Sequence, residues 1–102
     1  MMVAMNLALA TAVSGLYTNA AKVHVAAHNV VNANSEGFKA HLATQVSQAP
    51  AGVRLEVSRG TEPVDLAHEW MTMTEARIGY DANAKVISTL DRMSGALLDL
   101  MA

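Results

Sequence analysis

Apolar and polar positions divide the chain into two long helical segments separated by a shorter stretch of different rhythm. Leu9, Val13, Leu16, Ala20, Val23, Ala27 and Val30 recur in alternating steps of four and three, which places them on one seam of a helix. A helix from Met5 to Asn34 is roughly 45 Å long at about 1.5 Å per residue, too long for so small a protein to bury alone. Gly15 lies beside this seam. It reads either as a point of flexibility or as a position for close packing, and both readings stay open. The pattern stops at Asn29-Val30-Val31-Asn32-Ala33-Asn34-Ser35-Glu36-Gly37-Phe38-Lys39. Asn and Gly take left-handed backbone angles most readily, so this stretch predicts a helix C-terminus and a chain reversal.

Val53 to Ser58 alternates apolar and polar residues, the period of a half-buried strand, and His41 to Gln48 alternates less cleanly. Ala49-Pro50-Ala51-Gly52 between them is a turn by its composition, so a two-stranded hairpin is expected. Thr61 to Asp65 then opens a second helix, with Pro63 in an early helical position and Thr61 or Asp65 as the cap. Asn83, Val86, Leu90, Met93, Leu97 and Leu100 form one heptad line along it; Leu66, Trp70, Met73, Tyr80, Ala84 and Ile87 form another. Two offset lines make a broad apolar face, which calls for more than one neighbour.

Composition narrows the function classes. The residues are 52% hydrophobic but only 4% aromatic, a balance suited to helices packed closely along their length. A net charge of −2 offers no basic patch for nucleic acid. Absence of cysteine removes disulfides and thiolate chemistry. The apolar stretch from Met1 to Val31 is interrupted by Asn6, Asn19, Lys22, His24, His28 and Asn29, so it reads as no membrane span. Met1 to Asn6 lack the basic region of a secretory signal.

His24 and His28 are spaced to share a helix face, as metal ligands can be, but no Glu follows His24 in a metalloprotease pattern. They read as solvated or interfacial histidines, and no cofactor is expected. Asp65 and Glu69 could suggest an acid–base pair. Carboxylates in the first helical turns are equally well explained by the helix dipole. No serine elbow or glycine-rich phosphate loop is present, and nothing reads as an enzyme.

Ser14-Gly15-Leu16 followed by the Asn29–Lys39 run resembles the N-terminal signature of the bacterial flagellar rod and hook protein family. Its signature positions here are Asn29, Asn32, Asn34, Gly37, Phe38 and Lys39. Val64-Asp65-Leu66-Ala67-His68-Glu69 and Ala76 to Ile87 resemble the family's C-terminal helix, with Asp65, Tyr80, Ala82 and Asn83 as the matching positions. Glu36 stands where the family usually has proline, so the loop loses a rigid φ and gains a charge. The short segment between the signatures points to the smallest, proximal-rod type of member or to a diverged or reduced relative.

The resemblance implies a mainly α fold: long N- and C-terminal helices (1–36 and 63–102) pairing as an antiparallel coiled coil, with a small hairpin insert (37–62). It implies a structural subunit of the basal-body rod. Such a subunit is exported without a cleaved signal through the type III apparatus into the periplasmic space. It would self-assemble with copies of itself and other axial proteins into a drive shaft, with neither nucleic acid nor membrane insertion. Leu9, Val13, Leu16, Val23, Val30, Leu66, Trp70, Met73, Tyr80, Val86, Leu90, Met93, Leu97 and Leu100 are the expected helix-pairing and assembly positions. The competing reading is a non-flagellar coiled-coil interaction module.

Overall fold

A computed structural model describes residues 2–101. Helix α1 spans Met2–Val31, strands β1 and β2 span His41–Ser47 and Val53–Arg59, and helix α2 spans Leu66–Met101. The molecule is therefore mainly helical, with a small two-stranded antiparallel hairpin between two long helices.

Helix α1 stops at Val31 rather than Asn34. The His28 carbonyl accepts both the Asn32 backbone N–H at 3.1 Å and the Asn32 side-chain Nδ2 at 2.9 Å, which closes the last helical turn. The Ala33 N–H then bonds to the Val30 carbonyl at 3.2 Å in a tighter turn. None of the asparagines takes a left-handed conformation; the reversal is carried by Gly37, at φ 74.

Helix α2 starts three residues later than the sequence pattern suggests, leaving Pro63 in the preceding segment. The cap is Asp65: its Oδ1 accepts the His68 N–H at 3.2 Å and its carbonyl accepts the Glu69 N–H at 3.0 Å. Within the hairpin, His41 faces Arg59 and Ser47 faces Val53. The Gln48 N–H closes the turn onto the Gly52 carbonyl at 3.0 Å.

The two helices approach through an unusual seam. A Cβ added at Gly15 would come within 2.5 Å of Asn83 Nδ2, and one added at Gly79 within 2.8 Å of Asn19 Nδ2. Asn29 bonds to Glu69 further along. Positions 15, 19 and 29 of α1 thus face 83, 79 and 69 of α2, a single antiparallel register. Gly15 is a close-packing glycine, not a hinge. The inner line of α1 is Ala12, Gly15, Asn19, Lys22, Ala26 and Asn29, one residue ahead of the apolar line read from the sequence. Small and hydrogen-bonding side chains let the backbones approach, and the larger apolar residues lie on the flank.

The buried apolar side chains among the described residues are all alanines: Ala12, Ala26, Ala40 and Ala76. The exposed area is 7301 Å², against about 5,500 Å² for a compact monomer of this mass. The radius of gyration is 17.6 Å, where a compact chain of this length gives about 13 Å. The chain is an elongated slab, 64 × 24 × 13 Å, with its larger apolar groups outside.

The seam predicts opposite outcomes for two helical glycines. Gly95 has open space where a Cβ would stand, so Gly95→Ala raises helix stability by about 1 kcal/mol. Gly79→Ala displaces Asn19 and cancels or reverses that gain. Thermal melts followed by circular dichroism compare the two; an equal gain in both would refute the close-packed seam.

Candidate assembly interface

The hairpin is held on α1 by polar side chains at both ends. At the junction, Asn29 is fully buried, at 0% exposure. Its Oδ1 accepts the His41 N–H at 2.8 Å, and its Nδ2 donates to the His41 carbonyl and to Glu69 Oε1, each at 3.0 Å. One amide thus mimics a neighbouring strand for the first residue of β1 while supplying the buried carboxylate of α2 with a donor. At the hairpin tip, the Val53 N–H donates to Ser14 Oγ at 3.0 Å, and Thr18 Oγ1 donates to the Val53 carbonyl at 3.4 Å.

Lengths make the two anchors compatible. Thr18 and Ser14 lie roughly 17 to 23 Å from Asn29 along the helix at about 1.5 Å per residue, and the paired strands span about 20 Å. The hairpin fits between its pins without stretching either element. Lys22 Nζ adds a contact midway, donating to Gln45 Oε1. No buried side-chain polar atom among the described residues lacks a partner.

Phe38 turns back over this junction. Its ring centroid lies 5.6 Å from that of His28 and 5.5 Å from that of His41, and the two imidazoles are 4.9 Å apart. His28 therefore belongs to a three-ring cluster and is not paired with His24. Among the described residues, no three His, Asp or Glu side chains are grouped to hold a metal ion. The turn before Phe38 runs Ser35–Phe38, closed by the Phe38 N–H on the Ser35 carbonyl at 3.2 Å. With positive φ at its third residue, Gly37, it has type II character, in which proline is favoured at the second position. Glu36 occupies that position.

The predicted assembly residues fall into two groups. Val13, Leu16, Val23, Met73, Leu90 and Leu97 are half-buried along the helix pair. Leu9, Val30, Leu66, Trp70, Tyr80, Val86, Met93 and Leu100 are exposed, Trp70 by 72% and Leu100 by 85%. Of the signature positions, Asn29 is buried, Asn32, Phe38 and Asn83 are half-buried, and Asn34, Gly37, Lys39, Asp65, Tyr80 and Ala82 are exposed. Ile78, Met71 and Val31 are equally open, the last by 81%, and no heptad line flagged them. Glu69 reads from the sequence as a dipole-complementing carboxylate; in the fold it is the buried acceptor for Asn29.

Two family models match the chain. Residues 9–39 match the flagella basal body rod protein model. Residues 62–100 match the C-terminal model of the flagellar basal body rod FlgEFG proteins. Between them they take in α1 from residue 9 onward and all of α2 but its last residue, in order. The chain belongs to the flagellar basal body rod family. That family is structural, its members assemble with other flagellar rod proteins, and its place is the flagellar basal body. No significant match was found among curated proteins. No described helix is long and apolar enough to cross a membrane.

The junction yields two predictions. Asn29→Leu removes all three bonds and leaves the Glu69 carboxylate buried without its donor, costing about 3 kcal/mol or more in urea denaturation. Ser14→Ala, which removes one bond at the tip, costs about 1 kcal/mol. Equal effects would refute the hub role of Asn29. Glu36→Pro stabilises by about 0.4–1 kcal/mol, since the turn accommodates proline at this position and the Glu36 N–H makes no backbone bond. A lowered melting temperature would count against the type II assignment.

Proposed function

We propose that this chain is a self-assembling subunit of the flagellar rod. Its helix pair, α1 and α2, packs against copies and other axial proteins to form the drive shaft. Residues 37–62 form the outer insert. The subunit reaches the periplasmic space through the type III export apparatus without a cleaved signal, and its short insert suits a proximal-rod position. One observation carries the reading: on a chain whose two helices both match rod-family models, many large apolar side chains, Trp70, Ile78, Leu98 and Leu100 among them, stand exposed. A monomer rarely leaves such surface uncovered without a partner for it.

Trp70 and Ile78 test this directly because both are exposed. Trp70→Asp and Ile78→Asp leave the helicity of the isolated subunit unchanged and abolish or strongly reduce swimming. The protein is also expected to co-purify with isolated basal bodies. Normal swimming by both variants, or by a strain lacking the gene, would instead favour a non-flagellar interaction module.

A further inference from the structure

One edge of the hairpin stands open. His41 turns both its N–H and its carbonyl toward Asn29, away from β2. In an antiparallel pair the two backbone groups of one residue point the same way, and successive residues alternate. Ala43, Gln45 and Ser47 therefore also face away from β2, while Leu42, Thr44 and Val46 carry the ladder. The register, with His41 facing Arg59 and Ser47 facing Val53, then sets β2. Arg54, Glu56 and Ser58 bond to β1, and Val53, Leu55, Val57 and Arg59 face outward. Val53 supports this assignment separately, because its N–H and carbonyl meet Ser14 and Thr18 rather than β1.

The hairpin thus crosses α1 obliquely. The helix covers the outer edge of β2 at the tip, through Val53, and the outer edge of β1 at the junction, through His41. Among the described residues, the outward backbone groups of Leu55, Val57 and Arg59 meet no partner. Val57 is 52% exposed, and α2 does not pack on either strand. Proline and bulges, which guard many edge strands, are absent from β2. The open stretch of β1 offers Ala43, Gln45 and Ser47, with no large apolar side chain, whereas that of β2 offers Leu55 and Val57.

We infer that β2 pairs antiparallel with β2 of a second copy, with Val57 on the two-fold axis, joining the two hairpins into one sheet. Occupied groups and charge select this register. Pairing centred on Leu55 sets Val57 opposite Val53, whose groups are taken by Ser14 and Thr18. Pairing centred on Glu56 sets the two Glu56 carboxylates directly opposite each other, which is destabilising. Pairing centred on Ser58 carries Leu55 opposite Thr61, beyond the strand. Centred on Val57, Leu55 faces Arg59, Val57 faces Val57, and each pair exchanges both backbone bonds. Glu56 then faces Ser58 and keeps Arg54 as its own ion-pair partner. An isolated hairpin is marginal, and the added strands supply what it lacks. A two-fold contact closes at two copies. It uses neither long helix, so it goes beyond the rod reading and describes the folded subunit outside an axial assembly.

A residue on the axis meets its own copy, which supplies the test. The paired stretch is short, so sedimentation velocity of the isolated subunit shows a weak dimer, with a dissociation constant between about 1 µM and 1 mM. Val57→Lys and Val57→Glu each place like charges across the axis and raise that constant roughly tenfold. An equimolar mixture of the two restores the dimer, which a misfolded variant could not do. Gln45→Glu, on the edge of β1, dimerises like the parent. Trp70→Asp, on the exposed face of α2, does so too. A parent that is monomeric at about 1 mM, or a mixture that stays monomeric, would overturn the proposal. So would association that Gln45→Glu or Trp70→Asp removes and Val57→Lys leaves, since the contact would then lie on β1 or on the helices. Swimming by a deletion strain would count against the rod reading and leave this result standing.

Discussion

The side-chain amide of Asn29 joins α1, β1 and α2 at one point. Its oxygen and nitrogen satisfy both backbone groups of His41, and its second hydrogen reaches the buried carboxylate of Glu69. A buried carboxylate without a donor is costly, so α2 can bury Glu69 only where Asn29 is present. The hairpin in turn sits correctly only where that amide is free to face His41. Docking of the strand and docking of the second helix therefore favour each other. Ser14 and Thr18 repeat the device at the hairpin tip, but they reach only the strand.

An interface built on such bonds has little hydrophobic mass inside it. Alanines and glycines at the centre let the helices approach, yet each buries little apolar area. The compensating surface lies outside: the area beyond that of a compact monomer is about 1,800 Å². If somewhat more than half of that is apolar, covering it would supply on the order of 25 kcal/mol gross, before the costs of association. Net folding stability for a chain of this length is about 5–15 kcal/mol. Folding thus leaves uncovered an apolar surface whose burial by a partner would add stabilisation that the solitary chain lacks.

Much of this architecture is legible in the sequence because it depends on periodicity and punctuation. The alternation from Val53 to Ser58, the Pro-Gly turn before it and the polar run after Val31 mark the hairpin and the helix end. The seam was harder. Pattern reading weights large apolar residues, so it selects Leu9, Val13 and Leu16 and passes over Ala12, Gly15 and Asn19 one position earlier. When glycine and asparagine form the contact, the inner face carries no hydrophobic signal. Asn29 was visible as part of a signature and as a turn-former, whereas its three hydrogen bonds depend on chain segments that only the fold brings together. The start of α2 depends on which of two candidate caps is used: Pro63 suits a first helical turn after Thr61, but Asp65 makes the capping bond to the His68 N–H.

A seam this thin raises the problem of register, since two helices with repeating apolar positions can pair with a slip of one heptad. The glycine–asparagine contacts oppose the slip. In the observed register Asn83 fits against Gly15, and Asn19 against Gly79. A slip in one direction moves Asn83 onto Lys22 and Asn29 onto Ala76; a slip in the other moves Asn83 onto Ala8 and Asn29 onto Glu62. Both bring a side chain into space that glycine had left open, and both separate Asn29 from Glu69. Polar residues within a helix pair weaken it relative to an apolar seam but penalise the wrong alignments more than the right one. For a subunit whose outer faces must meet neighbours in fixed positions, alignment matters more than the stability of the isolated chain. The residues that make the seam weak are the ones that make it unique.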